Sequence, residues 1–219
     1  QEGYSITMKT LFIEARSNLN VDELISKINF QGKLGLTTTI QHMHLLDSIK
    51  KKLKNSVIAG QVLGCDVSNA LKIAKKVDAF LFIGSGNFHP VQIAMKTGKK
   101  VIRADPFTNS ISEVTEEEIE DRKRKVRAGY AYFLNANKIG ILVSAKPGQN
   151  KIKAAEFLKK ELEKQGKKPY LFTFDTLDFH QLDNFPDIEC WVNTACERMA
   201  IEDYDKFSKP VVNICDIKL

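Results

Sequence analysis

Four cysteines, Cys65, Cys190, Cys196 and Cys215, have the widest chemical reach of any residues in this chain. They show neither CxxC spacing nor a compact Cys/His cluster, so no zinc-type site is visible in the local sequence. Cys65 stands in Gly60-Gln61-Val62-Leu63-Gly64-Cys65-Asp66, where an apolar run gives way to a helical pattern from near Val67. A thiolate there meets amide donors and the positive end of a helix dipole, which lowers its pKa and suits a metal ligand or a nucleophile. The same local features fit a small buried apolar residue equally well. Cys196 lies at a similar passage, Val192-Asn193-Thr194-Ala195-Cys196-Glu197-Arg198. Cys190 is embedded in an apolar run and reads as core packing. Cys215 ends a strand beside Asp216 and receives no role.

Three other loops hold polar groups at the carboxyl ends of expected strands, where open parallel sheets collect ligands. Gly84-Ser85-Gly86-Asn87-Phe88-His89-Pro90 has two glycines that permit close backbone approach to a carboxylate or phosphate. It is not a full GxGxxG fingerprint, because His89 occupies the last glycine position. His89 precedes a proline, which places it in an extended loop at a helix start. Ser144-Ala145-Lys146-Pro147-Gly148-Gln149 and Thr37-Thr38-Thr39-Ile40-Gln41-His42 are the other two. Each is, by itself, equally a connecting turn with no ligand. No nucleophile elbow is present, so hydrolase chemistry has little support.

The elements that must position these loops alternate in type. Strand patterns at 35–40, 57–62, 79–83 and 100–103 are interleaved with helical patterns at 21–28, 42–53, 67–77 and 91–96. A long helix follows at about 115–135. The pattern then restarts, with strands at 138–143, 170–174, 189–192 and 210–214, helices at 151–165 and 200–207, and a short helical or irregular piece at 177–182. This order predicts an α/β fold with two similar domains, each a parallel sheet covered by helices. The boundary falls in the long helix, giving units 8–125 with Cys65 and 126–219 with Cys196. An internal echo aligns Asp78–Ile83 and its following loop with Asp187–Val192 and its loop.

The chain has 219 residues, 43% hydrophobic and 27% charged, an ordinary globular composition with a net charge of +6. Its apolar runs are too short to span a bilayer. No signal peptide is visible, and position 1 is not methionine, so a processed or cloned fragment is expected. The basic run from Arg122 to Arg127 follows Glu116–Glu118, Glu120 and Asp121. It reads as a solvated helix face laced with ion pairs rather than a nucleic-acid site, since no aromatic platform interleaves it. Free or metal-bound thiols in a reducing cytoplasm are expected over structural disulfides.

In combination the motifs are more specific than their parts. Gly-Leu-Thr-Thr-Thr-Ile-Gln-His at 35–42, Gly-Gln-Val-Leu-Gly-Cys at 60–65, the 84–90 loop, Lys-Pro-Gly-Gln at 146–149 and Trp-Val-Asn-Thr-Ala-Cys at 191–196 occur in that order. From about Met8 onward the chain resembles the diphthamide synthase family, the archaeal 2-(3-amino-3-carboxypropyl)histidine synthases. The resemblance implies the second and third units of a three-domain, pseudo-threefold arrangement, with the family's first domain absent. It implies Cys65 and Cys196 as two of the three cysteine ligands of a 4Fe-4S cluster, with the fourth iron open to S-adenosylmethionine. It further implies a radical transfer of a 3-amino-3-carboxypropyl group to a histidine of translation elongation factor two. The expected partners are that factor, an electron donor, and a second copy or a first-domain-bearing chain. Thr38, Thr39, Gly84, Ser85, Gly86 and Gln149 are the expected contacts to the amino-acid part of S-adenosylmethionine, with His89 orienting or polarising a ligand group. Glu197 stands where the family often has proline. Two other readings remain: a non-catalytic partner or scaffold subunit of the same pathway, and an unrelated αβ ligand-binding domain.

Overall fold

The computed structural model describes residues 11, 13–64 and 66–218. Two sheets organise them. In the first, β1 (Leu34–Thr38), β2 (Ser56–Gln61), β3 (Ala79–Ile83), β4 (Lys100–Asp105) and β5 (Ser110–Glu113) lie in the order β2-β1-β3-β4-β5. The first four are parallel and β5 runs antiparallel to β4. Every residue of β1 and β3 is buried, as expected of parallel strands covered on both faces. Leu34, Leu36, Leu81 and Ile83 pack against α1 (Asp22–Ser26) and α2 (Leu46–Lys52) through Leu24, Ile25, Leu46 and Ile49. On the opposite face, Phe80, Phe82 and Val101 pack against α3 (Ser68–Ile73) and α4 (Phe88–Thr97) through Ala70, Ile93 and Ala94.

The single helix α5 (Glu116–Asn135) leads to the second sheet, β7-β6-β8-β9, all parallel, from β6 (Lys138–Ser144), β7 (Lys168–Phe174), β8 (Cys190–Asn193) and β9 (Val211–Asn213). One face packs on α6 (Ile152–Lys164) through Ala155, Leu158 and Leu162. The other is covered by 3-10 turns carrying Leu182 and Ala200. The two parallel cores share one strand order. They also share a packing device: Gly35 pairs with Phe80, and Gly140 pairs with Trp191. A Cβ on Gly35 would lie 2.7 Å from the Phe80 ring, and one on Gly140 would lie 2.2 Å from the Trp191 ring. Trp191 therefore answers Phe80. The sequence echo had set it against Phe82, two residues away.

Three expectations change. β5 is an added edge strand whose exposed, polar Ser-Ile-Ser-Glu sequence lacks a buried-strand pattern. His89 and Pro90 lie within the first turn of α4, where a proline's missing N–H has no helical partner to lose. Residues 200–207 form 3-10 turns at Glu197–Ala200 and Tyr204–Lys206 instead of a helix.

The start of α5 follows the pattern read from sequence. Thr115 Oγ1 accepts from Glu118 N at 3.2 Å, and Glu118 Oε2 accepts from Thr115 N at 2.9 Å, a reciprocal cap. Burial raises the Glu118 pKa, but the Arg103 guanidinium and the Thr115 bonds outweigh it and hold the carboxyl below its usual range. The native pKa is thus depressed, so the stabilisation is complete above the unfolded value and is lost as pH falls through the native one. Glu118→Gln is expected to cost about 1 kcal/mol at neutral pH and to flatten the fall in thermal midpoint below about pH 4. Melting curves from pH 3 to 7 check this; parallel curves for the two proteins would contradict it.

Candidate functional site

At the carboxyl edge of the first sheet, Thr38 ends β1 and Ile83 ends β3, paired in register. The buried Thr38 hydroxyl donates to Ile83 O at 2.6 Å, which ties the strand ends together. Gly84 follows with φ 150°, and Thr39 Oγ1 lies 3.7 Å from where its Cβ would be. The exposed Ser85 donates its hydroxyl to Asp105 Oδ1 at 2.6 Å. Burial raises the Asp105 pKa, but bonds from Ser85 and from the amides of Phe107 and Thr108 hold it low overall. Ser85 thus donates to a carboxylate rather than to a histidine, which is not the geometry of an activated serine nucleophile. Gly86 has φ 83°, a left-handed conformation that glycine adopts without strain. Thr38, Thr39, Gly84 and Ser85 are therefore brought to one sheet edge. His42 stands near them: it is buried, its Nδ1 has no partner, and burial, then His44, lowers its pKa.

The Gly84–Asn87 loop runs into Phe88 and His89 at the junction of the two halves. Arg122, on α5, donates to Phe88 O at 3.1 Å and places its guanidinium 4.5 Å from the Phe88 ring centre. Arg198, two residues beyond Cys196, lies 5.6 Å from the same ring. Cation–π attraction to both guanidiniums joins the first-half loop to the second-half turn. His89 is half-buried, stacked on Phe82 at 5.7 Å, and its pKa is lowered by burial and then by Arg198. The ring is consequently neutral near pH 7 and can donate or accept one hydrogen bond. An open cavity of about 520 Å³ lies here, lined by Gly86, Asn87, Phe88, Arg122, Ile201 and Glu202 among others.

Cys196 sits across this junction. It is half-exposed and begins the 3-10 turn Glu197–Ala200, and its thiol makes no capping bond. A soft, accessible thiol fits an iron–sulfur cluster. No group of three His, Cys, Asp or Glu side chains that could hold a metal occurs among the described residues. Cys65 lies outside them; the flanking Leu63 and Asp66 exchange backbone bonds at 3.2 and 2.9 Å. Gln149 is exposed after β6, at the edge of the other sheet, with its backbone N–H donating to Lys146 O at 3.1 Å. Cys190 is fully buried and burial pushes its thiol up to about 12, in keeping with core packing.

Sequence reasoning missed the junction residues. Arg122 belongs to a run that reads as solvated, yet it is 6% exposed, and its Nη2 has no partner. Arg124 and Arg127 in the same run are exposed and paired with Asp121 and Glu120. Helical periodicity marks which residues share a face, but nothing local says that a charged face will be covered. No described helix is long and apolar enough to cross a membrane.

Residues 2–219 match the family model for diphthamide synthesis protein. The chain is 34% identical over 233 residues to the 2-(3-amino-3-carboxypropyl)histidine synthase of Pyrococcus horikoshii, covering 98% of this chain and 66% of that protein. It is 30% identical over 225 residues to the synthase of the same name from Methanocaldococcus jannaschii, covering 97% of this chain and 62% of that one. A crystal structure of Dph2 from Pyrococcus horikoshii with a 4Fe-4S cluster superposes with a TM-score of 0.76 at 32% identity, covering 92% of this chain and 62% of that one. The chain thus spans somewhat under two thirds of the length of these relatives.

Proposed function

Because the chain belongs to the diphthamide synthesis protein family, we propose that it serves the first step of diphthamide formation. The reaction is transfer of a 3-amino-3-carboxypropyl group from S-adenosylmethionine to a histidine of translation elongation factor two. The observation that carries this reading is the accessible Cys196 thiol, facing no capping partner, on a turn docked through Arg198 against the Gly84–Phe88 loop. Cys196 and Cys65 would each give one thiolate to a 4Fe-4S cluster. A first-domain-bearing segment or chain would supply the third. The cluster, once bound, supplies an electron to the sulfonium substrate.

The remaining assignments concern this chain's own groups. Gly84 and Gly86 let the backbone approach the substrate's amino-acid portion. Ser85 is exposed and held by Asp105, and its hydroxyl oxygen keeps acceptor capacity for a ligand. His89, neutral and half-buried, offers a single donor and acceptor. Thr38 acts by fixing the strand ends, since its hydroxyl is already donated to Ile83 O. Thr39 and Gln149 extend the contact set. The domain boundary at 125/126 divides α5, whose early turns hold Phe88 through Arg122 and whose last turns pack Phe133 on the second sheet. The working compartment is a reducing cytoplasm, and the electron donor and homodimeric or heteromeric partner follow from the same reading.

Anaerobic treatment with iron and sulfide tests it, using this chain together with a first-domain-bearing family member. A brown iron–sulfur chromophore is expected, followed by the mass gain of one 3-amino-3-carboxypropyl group on elongation factor two when reductant and S-adenosylmethionine are added. A protein that stays colourless under these conditions overturns the reading.

A further inference from the structure

Asn193 and Asn213 are the last residues of β8 and β9 and face each other in register. They are 1% and 2% exposed, among the few buried polar side chains of the second sheet. Asn193 Oδ1 accepts from Ala195 N at 3.0 Å. Its Nδ2 donates to Cys196 O at 2.8 Å and to Asn213 Oδ1 at 2.7 Å. Asn213 Nδ2 donates in turn to Glu197 O at 3.1 Å. Each amide is fixed in orientation by the other: a flip of either would set N–H against N–H or oxygen against oxygen. We propose that this amide pair sets the position of Cys196, drawing the backbone of its turn onto the strand ends and leaving the thiol as the turn's unanchored group. The inference rests on the reading of Cys196 as a cluster ligand and goes beyond it by naming what aims that ligand.

Two comparisons within the chain support a role beyond folding. With Gly35 and Phe80 matched to Gly140 and Trp191, the register positions of Asn193 and Asn213 correspond to Phe82 and Arg103 in the first sheet. Phe82 is fully buried and apolar, so the fold itself has no need of an amide there. A buried amide is costly unless it is hydrogen-bonded, and here its bonds go to the turn on either side of Cys196. Arg103 makes the analogous reach in the first half, donating to Asn87 Oδ1 at 2.8 Å at the end of the Gly84–Asn87 loop. Each half thus uses its fourth strand to hold the loop that follows its third. In the second half side-chain amides reach the turn's backbone carbonyls, which constrains the chain without engaging the thiol.

The test compares Cys196 with Cys190 in one protein. Cys190 is fully buried, so its alkylation reports global opening, whereas Cys196 reports the turn. Asn213→Leu removes the bonds to Asn193 and Glu197. Asn193→Asp keeps the acceptor for Ala195 N and loses both donors. Iodoacetamide labelling of the apo chain, read residue by residue by mass spectrometry, is expected to speed up at Cys196 by about fivefold as the released turn bares a thiol that is only partly exposed in the native turn, with Cys190 still protected. The reduced cluster of the reconstituted protein should show shifted electron paramagnetic resonance g-values in the same variants. Unchanged labelling of Cys196 in both variants, or a parallel rise at Cys190 in both, overturns the proposal. Absence of any cluster in the unaltered protein would instead defeat the family-based function, and the labelling would still decide the role of the amides.

Discussion

Replacing Cys196 by alanine is expected to abolish the iron–sulfur chromophore and to lower aminocarboxypropyl transfer by at least about a hundredfold, more than loss of an outer-shell partner would cost. The thermal midpoint of the apo chain should stay nearly unchanged. The two halves of this expectation have separate causes. The thiol is half-exposed and caps no helix, so its removal deletes little packing. The bonds that hold the turn are made by Cys196 O and Glu197 O, which alanine at position 196 retains. Cys190→Ala should behave in the opposite way. Its sulfur is fully buried among Ile139, Val192 and Leu158, so truncation leaves a small cavity and costs roughly 1–2 kcal/mol while the chromophore persists. Absorbance after anaerobic reconstitution and melting of the apo chain separate the two. A Cys196→Ala protein that retains the full chromophore would remove Cys196 from the ligand set.

Trp191→Ala is expected to be the most destabilising single change in the second sheet, at about 3–5 kcal/mol. The indole is fully buried and meets Phe172 edge-on at 5.0 Å, and Phe172 in turn meets Phe185 at 4.6 Å. It lies over Gly140, with Leu142, Leu182 and Val211 around it. In a chain of this size such a loss lowers the thermal midpoint by roughly 10 °C. Trp191→Phe should cost far less, roughly 1–2 kcal/mol, because the Nε1–H has no partner and its removal relieves a buried orphan donor. Gly140→Ala approaches the same site from below, since the added methyl would sit 2.2 Å from the ring and forces the indole or the strand to move. Trp191 is the chain's one tryptophan, so the melts must be followed by circular dichroism rather than intrinsic fluorescence. A loss below about 1 kcal/mol in Trp191→Ala would show that the site collapses around the deletion.

Local signals carried a large part of the architecture. The all-apolar run Ala-Phe-Leu-Phe-Ile is β3 to the residue, and the long helix expected at about 115–135 is α5. Strand-then-helix alternation was enough for a parallel α/β fold, because covered parallel strands must be apolar on both faces. Cys190 could be assigned to the core from its apolar neighbours alone. Local rules failed at three places. Pro90 is helical because it stands in the first turn of α4. The 200–207 segment forms 3-10 turns although its pattern is helical. β5 exists because β4 offers it an edge, which its own residues do not announce.

For the candidate site, the chain's residue types and order marked the Thr38–Thr39 strand end, the Gly84–Gly86 loop and the Cys196 turn, since chemistry-bearing residues at strand-to-helix passages are a local property. Their mutual arrangement is not local. That Phe88 lies against Arg122 and Arg198 and that Arg122 is buried while Arg124 is solvated follow from the docking of two sheets, and that two asparagines twenty residues apart close on one turn follows from the pairing of β8 with β9. Burial and hydrogen-bond partnership depend on what a third element places nearby, and one-dimensional periodicity holds no record of that element.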